Sequence, residues 1–280
     1  MKEKYLIQTV LGCAYAGTGN VLKVQEFLKT CNESLEEADC EHQVASLLGV
    51  ALIGLGEEIG NEMIIRILNH IMQFCEVHVK RAVPLVYAIL HLSNPKLPIM
   101  DILNKLAYEE DSELSLRAIF ALGLIGAGSN NSRLAGLLRN ISIYYDGDDN
   151  FVNHTYMIKL AQGILHMGKG MVTVQPSYSD KFLFSKVSLA GIITIIHSAM
   201  DMKNILTDKY SFLLYYLSLS MYPRMAFIVD ENLKNMPVNV RVGQALDVVG
   251  QAGVPKKITG FQTHCSPVVI GFGERFHLRN

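Results

Sequence analysis

The chain reads as mainly α: an α-solenoid of toroid type, built of stacked helical pairs in repeats of 35–40 residues and followed by a small β-rich module. Three observations predict this. An alanine followed within five residues by small residues recurs at "AYAGTG" (Ala14–Gly19), "ALIGLG" (Ala51–Gly56), "ALGLIG" (Ala121–Gly126) and "AQGILH" running into "MGKG" (Ala161–Gly170). Tryptophan is absent and proline numbers only 8 in 280 residues, which suits helices. After Tyr222 the helical period gives way to short β-rich runs.

The recurring alanines lie 37, 70 and 40 residues apart. The middle spacing is twice 35, and "RAVPLVYAILHLS" (Arg81–Ser93) supplies a degenerate copy between them. A period of this length marks one helical pair that cannot bury its own apolar face and must stack on its neighbours. Interior glycine costs a helix about 1 kcal/mol against alanine. Its recurrence therefore predicts that the first helices of successive repeats approach too closely for larger side chains, with Gly54 and Ala121 at such contacts.

The elements follow in order. "MKEKYLIQTVLGCAYAG" is helical in period, and Gln8 and Thr9 interrupt its apolar run, so no signal peptide is expected. Each small-residue helix ends in a polar or glycine turn: "GEEIGNE", "SNPKLP" or "GAGSNNS". Amphipathic second helices come next, in "MIIRILNHIMQF", "IMDILNKLAYE" and "RLAGLLRNISIYY". In the last, Leu134, Leu137, Leu138 and Ile141 form the stripe, with Arg133, Arg139 and Asn140 off it. The polar stretch "NESLEEADCEH" (Asn32–His42) breaks two repeats apart. "YEEDSE" (Tyr108–Glu113) is a helix–helix turn, with Asp111 or Ser112 placed to cap the next helix. "VSLAGIITIIHSAM" (Val187–Met200) is too short to span a bilayer and reads as a buried helix. Beyond it, "RMAFIVD", "VNVRVGQALDVVG", "KKITGFQTH" and "SPVVIGFGERFHL" read as strands, with Val238, Val240 and Val242 alternating against polar residues. The expected division is a helical solenoid over 1–222 and a β-rich module over 223–280.

Several functions are disfavoured. A net charge of −1 and a pI near 6.8 give no field for nucleic acid or an anionic membrane. The five cysteines form no CxxC pair and read as reduced thiols of a cytoplasmic or nuclear protein, in which the sequons at Asn32, Asn140 and Asn153 have no meaning. "GILHMGK" (Gly163–Lys169) matches the start of a phosphate-binding loop, but Gly170 stands where Ser or Thr should hold Mg²⁺, and the segment closes a helix. The 9 histidines form no HExxH or ligand cluster; His70, His91 and His166 fall near helix ends, where capping or partly exposed packing is expected. No catalytic residue, cofactor site or metal site is assigned. One candidate partner-binding surface remains, the acidic turn of Glu109, Glu110, Asp111 and Glu113. A solvated turn is the default reading for it, and a docking point for the basic rim of a ubiquitin-like fold is the functional one.

Five segments carry a family resemblance: "GVALIGLGEEIGNEM", "RAVPLVYAILHLSNPKL", "AIFALGLIGAGSNNSRLAGLLR", "IKLAQGILHMGKG" and "VNVRVGQALDVVGQAGVPKKITGFQTHCSPVVIGFGER". Collinear from Leu11 to Arg275, they resemble the non-ATPase subunit 2 family, the large proteasome/cyclosome-repeat subunits of the 26S proteasome base, over the sister subunit 1 family. The similarity is to the C-terminal third of that family, with a short remnant of its charged insertion around Glu36–Asp39. The resemblance implies a toroid of helical pairs acting as a non-catalytic scaffold beside the ATPase ring. It implies ATPase-ring and other regulatory-particle subunits as partners, and ubiquitin, ubiquitin-like domains and a deubiquitinase as ligands of the family. Competing readings are a free-standing HEAT-like adaptor gripping a helical peptide, and an enzyme using the "GILHMGK" loop.

Overall fold

The structure is a computed structural model that describes residues 2–33, 41–56, 58–147, 151–178, 183–243, 245–249, 255–271 and 273–278. Ser34–Cys40, most of the polar break, lies outside the described residues, as does Glu57 of the "GEEIGNE" turn.

Two layers of helices alternate along the chain. The inner layer comprises α1 (Lys2–Ala14), α3 (Glu41–Ile53), α6 (Val83–Leu90), α8 (Ser112–Ile125) and α10 (Val152–Leu165). The outer layer comprises α2 (Val21–Cys31), α4 (Glu58–Phe74), α7 (Leu97–Leu106) and α9 (Ser132–Tyr145), with a single turn, α5 (Val77–Lys80), between α4 and α6. Each inner helix packs on the next, and each outer helix packs on the inner helix that follows it. The outer helices show the expected stripe: in α9, Leu134, Leu138 and Ile141 are buried while Arg133, Arg139 and Asn140 are exposed. Asn20 and Asn131 cap α2 and α9, each accepting two backbone N–H groups.

The central inner helices α3, α6 and α8 are largely apolar around their circumference because they are covered on nearly every side. All eight residues of α6 are buried, as is α8 from Leu114 to Ile125. Small residues let them come together. A Cβ on Gly12 of α1 would stand 3.0 Å from the Cα of Gly49 in α3, and one on Gly123 of α8 would stand 2.8 Å from the Cα of Ala161 in α10. Gly54 departs from expectation: it follows α3 in the turn, and a side chain there would collide with Ile64 of α4, an outer helix. The loops add a second repeating contact. The N–H groups of Gly17 and Gly19 donate to the carbonyls of Leu52 and Ile53, and those of Gly128 and Asn130 to Ile164 and Leu165. All four donors hold positive φ, which turns two N–H groups toward the last turn of the next inner helix.

Past α10 the regular alternation of inner and outer helices gives way to a mixed segment. Strand β1 (Val172–Val174) pairs antiparallel with β2 (Met221–Pro223) across the intervening helices. Between them α11 (Lys186–Ser198) buries one face only, through Ser188, Gly191, Ile192, Ile195 and Ile196, and leaves Val187 exposed. Ser211–Ser220 follows as a 3-10 helix packed on α11.

The C-terminal strands are β3 (Met225–Ala226), β4 (Asn239–Gly243), β5 (Ala245–Val249), β6 (Pro255–Thr259), β7 (Gln262–Cys265), β8 (Val268–Val269) and β9 (Arg275–Leu278). They pair antiparallel as β3–β8, β7–β4–β9 and β5–β6. Val240 and Val242 of β4 are buried and Asn239 and Arg241 exposed, the alternation expected of a half-buried strand.

Candidate functional site at the helix N-terminal end of the inner layer

The acidic turn lies at one end of the inner layer. There a pocket of about 350 Å³ is lined by Tyr5 of α1, Glu41 and Val44 of α3, His78 and Arg81 at α5, Arg117 of α8, and Met200 and Asp201 beyond α11. Asp111 is the N-cap of α8, its carboxylate accepting the Glu113 N–H at 3.1 Å. The same carboxylate takes a two-point contact from Arg81, Nε to Oδ2 at 2.6 Å and Nη2 to Oδ1 at 3.1 Å. Burial pushes the Asp111 carboxyl up, but the Arg81 contact and the backbone N–H groups of Glu113 and Leu114 outweigh it, so the group sits below its ordinary pKa.

Glu113 pairs with Arg117 at 3.4 Å and with Lys203 at 3.3 Å. Arg117 in turn donates to the Met200 carbonyl. Burial lowers the pKa of this guanidinium, with Glu113 opposing that shift. Glu109 and Glu110 are exposed and form no ion pair among the described residues. The four carboxylates thus divide. Asp111 and Glu113 tie α8 to α5 and to the segment after α11, while Glu109 and Glu110 are presented to solvent.

The sequence offers Asp111 or Ser112 as the cap, and the structure gives Asp111; it does not show Arg81 as the partner, because 30 residues separate them. It also misses a buried Ser115–His154 pair, Oγ to Nε2 at 2.9 Å, with the imidazole stacked on Tyr145. Both members are buried, which closes the pair to substrate. His91 corrects an expectation: far from partly exposed, it is buried at the end of α6, and neither ring nitrogen meets a hydrogen-bond partner among the described residues. Burial lowers its pKa to about 4, aided by Lys96.

The "GILHMGK" segment closes α10 and passes into a 3-10 turn (Met167–Gly170) with Gly168 and Lys169 at positive φ. Its N–H groups therefore do not open a helix toward a phosphate. Among the described residues no group of three or more His, Cys, Asp or Glu is placed to hold a metal ion, and no helix is long and apolar enough to cross a membrane.

Two family models match the chain. The proteasome/cyclosome repeat covers residues 118–150, which includes most of α8 and all of α9. The C-terminal region of the 26S proteasome non-ATPase regulatory subunit RPN1 covers 249–280. The chain is similar to 26S proteasome non-ATPase regulatory subunit 2 homolog A of Arabidopsis thaliana, with 52% identity over 99% of the chain and 30% of the relative. Against non-ATPase regulatory subunit 2 of Dictyostelium discoideum the identity is 47% over 98% of the chain and 30% of the relative. Against the regulatory subunit rpn-1 of Neurospora crassa it is 45% over 96% and 30%. The chain spans about 30% of the length of these curated relatives. With helical pairs, a repeat match on α8–α9 and identity running through both the layers and the strands, the chain belongs to the family of the 26S proteasome non-ATPase regulatory subunit 2.

Proposed function

We propose that the chain acts as a non-catalytic scaffold segment of the 26S proteasome base in ubiquitin-dependent protein degradation, contacting the ATPase ring and other regulatory-particle subunits. The observation that carries this reading is identity of 52% over 99% of the chain with a relative named a non-ATPase regulatory subunit. The inner layer supports it, since its helices bury their apolar faces against each other and form a frame. Affinity-tagged chain should co-purify ATPase-ring subunits from cell extract. Recovery of a helical peptide of a transport or signalling protein without those subunits points instead to the HEAT-like adaptor.

Solvent-facing Glu109 and Glu110 are the part of the acidic turn proposed to assist docking of ubiquitin or a ubiquitin-like domain; Asp111 and Glu113 serve by holding the turn in place. Exposed ion pairs contribute about 0–1 kcal/mol each and act mostly on encounter. Glu109→Lys with Glu110→Lys should weaken an NMR titration of labelled ubiquitin at low salt, with the difference shrinking as salt rises. Identical titrations at every ionic strength leave the turn a solvated connection. The proposed units remain a solenoid over 1–222 and a β-rich module over 223–280, and the proposed locations are cytoplasm and nucleus. All five thiols should then react with a maleimide in denaturant without prior reduction.

A further inference from the structure

A cavity of about 140 Å³ lies where the mixed segment meets the C-terminal strands. Thr173 of β1, with Gln175 and Ser177 just after it, lines one side, and Arg224, Gly271 and Glu274 line the other. The backbone of Arg224 is clamped at this junction. Its N–H donates to the Met171 carbonyl at 2.7 Å, and its carbonyl accepts the Ile270 N–H at 2.6 Å. Nε donates to the Ile270 carbonyl at 3.3 Å. The two Nη groups have no hydrogen bond or ion pair among the described residues.

The polar groups of the cavity divide by what they have left to offer. Glu274 is engaged in its own loop, where Oε2 accepts the Gly271 N–H at 2.6 Å. It opposes the lowering of the Arg224 pKa by burial, but it forms no ion pair with Arg224. Thr173 is 7% exposed, and its hydroxyl meets no partner among the described residues. Leaving a buried hydroxyl unpaired is unfavourable, and an acceptor from outside the chain removes that cost. What remains is a fork of free N–H groups beside a free hydroxyl. A carboxylate suits that set: its two coplanar oxygens match a guanidinium edge and keep lone pairs for a hydroxyl. A phosphate dianion suits it less, since one arginine near Glu274 cannot offset two charges.

We propose that this cavity binds a carboxylate, its oxygens taken by the Arg224 Nη groups and by the Thr173 hydroxyl. Two sources carry that group, a free small acid and the Asp or Glu side chain of another polypeptide. The inference rests on the junction of β1 with the C-terminal strands and is independent of the proteasomal reading.

NMR of the whole chain at constant ionic strength tests it, with sodium acetate and, separately, the blocked peptide acetyl-Ala-Glu-Ala-amide as probes. Both should move the Arg224 Nε–Hε and Gly271 N–H signals saturably. Half-saturation by the peptide at a roughly tenfold lower concentration than acetate assigns the site to a polypeptide side chain, and equal concentrations assign it to the free acid. Thr173→Val keeps the shape and deletes the unpaired hydroxyl. It should weaken either response roughly tenfold, while the thermal midpoint holds or rises. Arg224→Lys keeps the charge without the fork and should weaken binding by a similar factor. The proposal is overturned by signals that move with neither probe, or by inorganic phosphate binding tighter than both. It is equally overturned by responses that both substitutions leave unchanged, or by a Thr173→Val chain that loses stability and binds as before.

Discussion

At Gly123 a methyl group would stand 2.8 Å from the backbone of Ala161, closer than packed carbons approach. Gly123→Leu should therefore lower stability by about 1–3 kcal/mol or more through forced separation of α8 and α10. Gly136→Ala on the outer helix α9 is the control: its Cβ meets nothing within 4 Å, and removing an interior helical glycine should leave stability unchanged or raise it by up to about 1 kcal/mol. Equal urea midpoints for the two variants would contradict close inner packing. Buried histidines set a second residue-scale effect. Burial, with a minor push from Lys96 or Lys203, lowers His91 and His154 from 6.5 to about 4. The unfolded chain then binds protons that the native chain refuses, so stability falls as pH drops through this window and the effect is complete near pH 4. Each imidazole should cost roughly 1–2 kcal/mol between pH 7 and pH 5. Urea titrations across that range measure it, and His91→Phe should remove one proton's worth of slope. The small-residue positions are legible in sequence because a glycine inside an apolar helix has few other uses. The burial of His91 is not, since what surrounds it comes from other repeats.

Elements were legible where period and cap agree. The outer helices α2 and α9 carry both an apolar stripe and an Asn cap, and their pairing with inner helices follows from the repeat. Strand β1 carries no such local signal: three residues after a glycine turn become a strand only because Met221–Pro223 returns beside them. Half of the candidate site was equally hidden, as Asp111 or Ser112 is readable as the cap while the two-point contact of Asp111 with Arg81 depends on how α5 meets α8. Asp111→Asn keeps an acceptor for the Glu113 N–H but loses the charge facing Arg81; Asp111→Ala loses both. The alanine variant should cost on the order of 1–2 kcal/mol and the asparagine variant less, with amide exchange rising first in the opening turn of α8. The depressed Asp111 carboxyl contributes stability that is full above its ordinary pKa and is lost as pH falls through its lower native value. An acid limb unchanged by Asp111→Asn would show that the ion pair contributes nothing.

For the whole molecule, a stack of helical pairs should have a stability that sums over nearest neighbours, so that an end repeat frays alone. The segment around α11 breaks that rule. Phe184, ahead of α11, packs where a side chain on Gly17 would collide with it. His197 near its end hydrogen-bonds Tyr5 of α1, with the rings edge to face at 5.5 Å. Beyond it the Met200 carbonyl and Lys203 reach Arg117 and Glu113 of α8. One segment thus laces the first repeat to the fourth, and releasing α1 means giving up contacts to residues more than 160 positions away. Phe184→Ala removes a partly buried ring, a loss of roughly 1–3 kcal/mol. If α11 binds α1 as the geometry has it, native-state hydrogen exchange in this variant should show α1 amides losing protection by about tenfold or more, with α8 amides nearly unchanged. A solenoid governed by neighbours alone predicts faster exchange only around 183–198, and α1 protection equal to wild type would rule out the lacing.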